Sequence, residues 1–450
     1  MKRRIFIKKT LKGASIAILS PSLLTACDKE TTPIDKSVVV IGAGIAGLAA
    51  AKKLKEKGFT VTILEAQDKV GGRLRTNRSL GIAFDEGASW IHGISGNPIT
   101  DLAQQAGMTT SPSEDANYAA YDIGGIGISD TLFTNTENEL YDILDTLAAH
   151  GTANKSFETV FFEQYPQYAS SRLWRFFLST YITFDLGDLD KVSSLYYNEG
   201  EEYGGIEKIA TNGYDSIPLF LASGLDVQLN QRVSAVDYSG SKVRVTHSGA
   251  VTEADYVVVT APLGVLKNNS IQFAPTLPMA KQTAIQKVGM NCVNKFLLTW
   301  DTAFWDDAFF LIYTPEAKDK FNYFVNIKKL HPSVNALMTF AYADYARQTE
   351  SMSDAQVIND IMTHLRDMYG SNIPEPTHLL RTKWNSNENT YGSYSYFAVG
   401  AEPRHFDDLA AEVDNKLFFA GEHTEPDYFS TAHGAYLSGI READKIIDLQ

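Results

Sequence analysis

A chain of 450 residues that is 44% hydrophobic, 21% charged and 11% aromatic describes a soluble globular protein, with room for two interleaved domains or about three separate ones. Its formal net charge of −14 argues against nucleic-acid binding, which asks for a basic face. The same charge suits cationic ligands through long-range steering, and is equally compatible with a solvated acidic surface that recognises nothing.

Residues 1–26 carry six Lys/Arg and no acid, so the remainder stands at −20. Arg3-Arg4, ahead of Ile5-Phe6-Ile7-Lys8-Lys9, resembles a twin-arginine export signal, and an apolar stretch runs from Ala14 to Ala26. Leu24-Thr25-Ala26-Cys27 resembles a bacterial lipobox, which makes Cys27 the expected lipidated first residue of the mature protein. An uncleaved membrane anchor is the alternative, but the run is short for a span and Pro21 breaks it. Residues 27–37 then read as a polar tether. The expected product is an exported protein, periplasmic or membrane-anchored, that meets the membrane only through Cys27. With Cys27 acylated, Cys292 stands alone and no intramolecular disulfide forms. The nine histidines are scattered and no Cys/His spacing suits an ion, so no metal site is expected.

The run Val38 to Ala66 is the strongest local signal. Val38 to Ile41 are four β-branched residues fit for a buried parallel strand. The chain turns through Gly42-Ala43-Gly44-Ile45-Ala46-Gly47 and reads as a helix that Gly58 ends. A second buried strand, Val61 to Leu64, leads to Glu65, 23 positions after Gly42, where a carboxylate suits a ribose hydroxyl. Gly42 permits the tight turn, Gly44 lets backbone approach a pyrophosphate, and Gly47 lets helix and strand pack closely. The helix N-terminus offers unpaired N–H groups to the phosphates. Strand, glycines, helix, strand and acid in register predict a dinucleotide site.

Val70-Gly71-Gly72-Arg73 follows, with two glycines for close backbone approach and an arginine that can pair a phosphate. Here the sequence resembles the flavin-dependent amine oxidases: the polyamine and monoamine oxidases and the lysine-specific histone demethylases. The resemblance implies FAD, with cofactor contacts at Gly42, Gly44, Ile45, Ala46, Gly47, Glu65, Ala66, Gly72 and Arg73. The run Gly87-Ala88-Ser89-Trp90-Ile91-His92-Gly93, with Gly96-Asn97-Pro98-Ile99 after it, resembles the polyamine-oxidising branch, where the histidine faces the substrate tunnel. His92 then hydrogen-bonds a substrate nitrogen or helps a cationic amine lose its proton. A histidine that merely caps a turn is the alternative.

From Thr100 to Tyr203 the signal thins. Helices are predicted over Asp101 to Ala106, Glu137 to His150 and Ser171 to Thr183, the last with an aromatic face that reads as core. Glu199, Glu201 and Glu202 form either an anionic lip for polyamines or a solvated loop. Val227 to Val233 reads as a strand with its following turn, Val243 to His247 and Asp255 to Thr260 continue the β pattern, and by resemblance Val233 meets the adenine through its backbone. Strands at Phe296 to Trp300, Phe309 to Tyr313, Tyr323 to Ile327 and Ala336 to Tyr342 lack crossover spacing and predict an antiparallel sheet. Ser353 caps a helix from Asp354 to Tyr369, which Gly370 ends.

Lys295 matches the family lysine whose ammonium holds a water near flavin N5; by itself it is an ordinary strand-edge lysine. Trp384 and Tyr394, in Leu380-Arg381-Thr382-Lys383-Trp384 and Gly392-Ser393-Tyr394-Ser395-Tyr396, match walls of the substrate cavity. Asn387-Glu388 departs from the family's usual Asp-Pro or Asp-Arg. Ser393 occupies the position of the flavin-linked cysteine of monoamine oxidases, so the FAD is expected to be non-covalent. Leu417 to Phe419 reads as a strand entering the turn Gly421-Glu422, with Glu422 near the ribityl and phosphate groups. Thr431-Ala432 opens a helix whose N–H groups face flavin N1 and O2, and Thr431 stands where monoamine oxidases carry the second cage tyrosine.

These expectations combine into an α/β protein. A Rossmann-like FAD-binding domain of the amine oxidase type (38–95, 205–290 and 380–450) carries an interleaved α+β substrate domain (96–204 and 291–379) with an antiparallel sheet. The expected reaction is amine oxidation to an imine by hydride transfer, with oxygen reduced to hydrogen peroxide. A polyamine is the expected substrate. An aromatic monoamine or L-amino acid is the alternative within the class, and a non-catalytic polyamine-binding lipoprotein the alternative outside it. Oligomeric state is not legible.

Overall fold

The computed structural model describes residues 34–450. The expected export signal at Arg3-Arg4 and the expected lipobox at Cys27 lie outside the described residues.

Val38 to Ile41 enter the interior because nothing in that run can hydrogen-bond water through its side chain. They form the centre of a five-stranded sheet in the order Asp226–Gln228, Thr60–Leu64, Ser37–Ile41, Tyr256–Val259, Leu417–Phe419, with every neighbouring pair parallel. The first helix runs Ile45–Glu56, and Gly58 beyond it takes the left-handed conformation (φ +97°) that ends a helix. It packs against the C-terminal helix Ala432–Asp448, closely enough that a Cβ on Gly439 would sit 2.1 Å from the Ala46 carbonyl oxygen. A four-stranded sheet, Ala250–Ala254, Val243–His247, Val233–Asp237 and Gln272–Ala274, flanks this layer.

The second large sheet has seven strands in the order His378–Arg381, Val293–Trp300, Asn335–Tyr342, Lys320–Asn326, Phe310–Tyr313, Tyr118–Asp122, Ile126–Gly127. Five of its pairs are antiparallel, and three of these join the four strands for which the spacing predicts it. Phe310–Tyr313 pairs parallel with Tyr118–Asp122, a strand from the stretch where the sequence signal thins. Val293–Trp300 is buried at every position because both faces are covered. Phe296, Leu298 and Trp300 pack with Val357, Ile361 and Leu365 of the helix Asp354–Tyr369. Val293 and Leu297 point the other way, into the main core. Side chains alternate across a strand, so Lys295 shares the face of Val293 and Leu297.

The helix Asp354–Tyr369 has the predicted bounds, with Ser353 and Gln356 closing a reciprocal capping box. The helix predicted over Glu137 to His150 starts earlier, at Asp130, capped by Ser129. That predicted over Ser171 to Thr183 is α-helical only over Arg172–Leu178. Ser179–Thr183 then widens into a π-turn that delivers Phe184. Among the described residues no helix is long and apolar enough to cross a membrane, and no group of His, Cys, Asp and Glu has metal-binding geometry.

Candidate active site

One cavity opens at the C-terminal ends of the parallel strands, reached by Ile41, Leu64, Thr260 and Gly421, and extends to the face of the seven-stranded sheet that carries Lys295. This is where ligands sit in open parallel sheets. At its floor, Gly42 accepts a φ of +103° and its N–H donates to the Leu64 carbonyl at 2.8 Å. Gly44 is extended and caps the first helix; a Cβ there would meet no atom within 4 Å, so it would project into the cavity. Ile45, Ala46 and Gly72 share this wall. Gly47 does not: a Cβ on it would lie 2.1 Å from the Gly42 carbonyl oxygen, so this glycine serves helix–strand contact.

At one end of the cavity stand Glu65, Ala66 and Val233. The buried Glu65 carboxylate accepts the Ala43 N–H at 2.6 Å through Oε2 and the Gln67 N–H at 2.9 Å through Oε1. Burial pushes its carboxyl up, against the pull of those bonds. Arg232 and Glu388 also line this end and pair at 2.6 Å, so the departure at Asn387-Glu388 supplies an ion pair at the rim.

In the middle, Arg73 and Glu422 meet across 349 positions of sequence. Arg73 Nη1 lies 2.8 Å from Glu422 Oε1 and donates to the Ser393 carbonyl at 2.8 Å. Oε2 of Glu422 accepts the Ser395 hydroxyl at 2.6 Å and the Ser430 N–H at 3.0 Å. Burial pushes the Glu422 carboxyl up, but Arg73, His423 and these bonds outweigh it and hold the group below its ordinary range. Thr431 caps the C-terminal helix, its Oγ1 accepting the Gly434 N–H at 2.8 Å, so that helix presents its N-terminus, with Ala432, to the cavity.

At the far end Lys295, His92, Trp384 and Tyr394 come together with Trp90, Phe184 and Asp185. The Lys295 ammonium donates to the Asp85 carbonyl at 3.0 Å, to the Gly87 carbonyl and to the Ser89 hydroxyl. It therefore clamps the 85–89 segment as well as facing the cavity. Trp384 Nε1 donates to the Glu86 carbonyl at 3.3 Å, and the Tyr394 hydroxyl donates to the Phe184 carbonyl. His92 Nδ1 lies 2.7 Å from Oε2 of Glu207, whose Oε1 accepts the Gly93 N–H at 2.9 Å. Glu199, Glu201 and Glu202, read in the sequence as an anionic lip or a solvated loop, are not among the cavity-lining residues; Glu207 and Asp185 carry no motif that marks them.

Residues 45–447 match the family model described as flavin containing amine oxidoreductase. The chain belongs to the flavin-containing amine oxidoreductases. It is 33% identical over 432 residues to probable polyamine oxidase 4 of Arabidopsis thaliana, covering 90% of this chain and 86% of that protein. It is 30% identical to lysine-specific histone demethylase 2 of Homo sapiens, covering 98% of this chain and 57% of that protein. Among solved structures, wild-type putrescine oxidase bound to putrescine superposes with a TM-score of 0.77 at 21% identity, over 93% of this chain and all of that one, which places the fold.

The cavity of this amine oxidase fits a flavin dinucleotide. Its floor at Gly44 has room for a group that a side chain would displace. Two helix N-termini face it, which suits phosphate oxygens and a ring that gains negative charge. Glu65 and Val233 would hold the adenosine end, Gly44, Gly72 and Arg73 the phosphates, and Thr431-Ala432 the ring. Arg73 would make its phosphate contact while remaining neutralised by Glu422.

Proposed function

We propose that this enzyme oxidises a polyamine to an imine, which water then hydrolyses, and passes the electrons to oxygen to give hydrogen peroxide. The bound flavin supplies the acceptor for the two electrons. The observation that carries the polyamine reading is the make-up of the far end of the cavity: Trp90, Phe184, Trp384 and Tyr394 with a carboxylate at Asp185. Apolar and aromatic walls favour the neutral form of the reacting amine, while the Asp185 carboxylate suits an ammonium group that a polyamine carries elsewhere. Relatives named as polyamine oxidases in Arabidopsis thaliana and Oryza sativa point the same way.

An L-amino acid would need an arginine facing its carboxylate. The arginines on the cavity wall are Arg73, paired with Glu422, and Arg232, paired with Glu388, so each already holds a carboxylate of the chain itself. A peroxide-coupled screen of spermine, spermidine, putrescine, butylamine, benzylamine and L-amino acids tests the reading. Spermine or spermidine should give the highest kcat/KM. Preference for benzylamine or an amino acid overturns the polyamine assignment, and amine-driven flavin bleaching without oxygen uptake replaces the oxidase by a dehydrogenase.

We further propose that the chain leaves the cytoplasm folded, through Arg3-Arg4, and is anchored by lipid on Cys27. Replacing both arginines by lysine should strand the holoenzyme in the cytoplasm, and Cys27→Ala should abolish lipid labelling. Normal export of the double-lysine variant would exclude the twin-arginine route.

A further inference from the structure

The carboxylate behind His92 has no counterpart in the motif that singles out the histidine. Glu207 lies 115 positions away, just ahead of the strand Lys208–Ala210, which pairs with Trp90–Ile91. One of its oxygens is 2.7 Å from His92 Nδ1 and the other accepts the Gly93 N–H at 2.9 Å, so the carboxylate is gripped at both ends and cannot swing away from the ring. His92 lines the cavity and Glu207 does not. With Nδ1 directed at a carboxylate, Nδ1 carries the hydrogen, and Nε2 is the nitrogen through which the ring exchanges a proton with a bound molecule.

A polyamine nitrogen arrives as an ammonium, because alkylamines ionise near the ordinary lysine value of about 10. An ammonium has no lone pair with which to form the new carbon–nitrogen double bond, so one proton must leave before carbon is oxidised. We propose that Glu207 is the positioning residue that makes His92 the acceptor of that proton. The N–H bond of the ammonium breaks, the proton goes to Nε2, and the imidazolium so formed is held beside the Glu207 carboxylate. An adjacent carboxylate favours the charged ring and makes the neutral ring a stronger base. The proposal rests on amine oxidation, and holds for any protonated amine the cavity admits.

Other charged and polar groups lie on the elements packed beside the His92 segment or on the same cavity wall. Lys208 is the register partner of Ile91, the Tyr203 carbonyl abuts Gly93, Lys295 sits 5.6 Å from the centroid of the Trp90 ring, and Asp185, Tyr394 and His433 share the cavity wall. The two lysines oppose a charged imidazole and Asp185 favours it. Glu207, at hydrogen-bond distance, is the contact most sensitive to a single substitution.

The test uses Glu207→Gln, which retains an amide oxygen for the Gly93 N–H, in holoenzyme labelled with 15N-histidine. His92→Gln identifies the His92 signal by its loss. The proposal expects the His92 titration in Glu207→Gln to move down by about one pH unit or more, a tenfold change in proton affinity. The enzyme-borne acid limb of kcat/KM should move down with it, and the plateau should fall several-fold. Adding Glu207→Gln to His92→Gln should cost nothing further. A lower plateau with an unmoved limb and unmoved titration would make Glu207 a structural residue and overturn the proposal. So would an equal loss on top of His92→Gln. Rates are read with whichever amine the enzyme turns over, and the titration needs no turnover, so failure of the polyamine reading leaves a distinct signature.

Discussion

Lys295 spends its three N–H donors on the Asp85 and Gly87 carbonyls and the Ser89 hydroxyl, and this changes what its removal should do. A buried ammonium close to a site where negative charge appears stabilises that charge by up to several kcal/mol. Lys295→Met should therefore slow reoxidation of the reduced enzyme by oxygen roughly tenfold to a thousandfold, more than it slows anaerobic reduction by amine. It should also lower the melting temperature, since two carbonyls and a hydroxyl lose a charged donor at roughly 1–3 kcal/mol each. Stopped-flow measurement of the two half-reactions decides; a larger loss in reduction would assign the ammonium to placing the amine. Glu422 makes a different forecast. Its carboxyl is held below its ordinary value of 4.5, so its stabilisation is complete above that value and is lost as pH falls through the lower, folded-state value. Glu422→Gln should cost about 3 kcal/mol at pH 7 by leaving Arg73 uncompensated. On acidification from pH 5 to 3 it should lose less stability than the wild type. An unchanged melting temperature at pH 7 would mean that solvent already neutralises Arg73. Arg73 and Glu422 were legible because glycine-rich motifs surround them, and Lys295 only through its match to the family lysine. Glu207 was not, because its partner is fixed by strand pairing 115 residues distant and nothing local marks it.

At the scale of elements, the glycine turn separates two jobs that look alike in sequence. Gly44 has ordinary backbone angles (φ −74°, ψ 174°) and space at its Cβ, so Gly44→Ala should fold as well as the wild type. Its methyl group would occupy the cradle at the helix N-terminus, and FAD affinity should fall at least tenfold, about 1.4 kcal/mol. Gly47→Ala puts a methyl 2.1 Å from the Gly42 carbonyl and should instead reduce soluble yield and melting temperature. Fluorescence titration of the apoproteins with FAD, beside thermal melts without it, would distinguish them; matching behaviour of the two variants would refute the division. The same contrast explains which elements were readable. Val38–Ile41 and the helix Asp354–Tyr369 carry periodicity, caps and glycines that agree with one another. The π-turn at Ser179–Thr183 has no sequence signature, and the Phe184 that follows it packs edge-on against Phe340 and Tyr342, residues far along the chain. Tyr118–Asp122 does not alternate cleanly and is a strand through its pairing with Phe310–Tyr313 on one side and Ile126–Gly127 on the other.

Over the whole molecule, the cofactor cavity is assembled from segments near the start, middle and end of the chain: Gly42 to Arg73, Val233, and Gly421 to Ala432. A ligand that touches all of them binds only the folded protein, so it should stabilise the fold by mass action, about 2.7 kcal/mol at a hundredfold excess over Kd. Removing FAD should lower the melting temperature, and adding it back should raise that temperature with the logarithm of its concentration. This requires that the flavin can leave. Ser393, at the position of the linking cysteine of monoamine oxidases, has a hydroxyl where that chemistry needs a thiol. Its Oγ is turned to the backbone of Val293, accepting the N–H at 2.8 Å and donating to the carbonyl at 3.1 Å. Cys292 cannot substitute. It is fully buried on the opposite face of the strand, in the cluster with Phe296 and Leu298, with Sγ towards Glu350, and burial pushes its thiol far up, so a nucleophilic thiolate does not form there. Acid precipitation of the holoenzyme should accordingly leave the yellow colour in the supernatant, with absorbance matching free FAD in amount. Colour that stays with the pellet would show a covalent link formed by some other side chain, and the melting temperature would then be indifferent to added FAD.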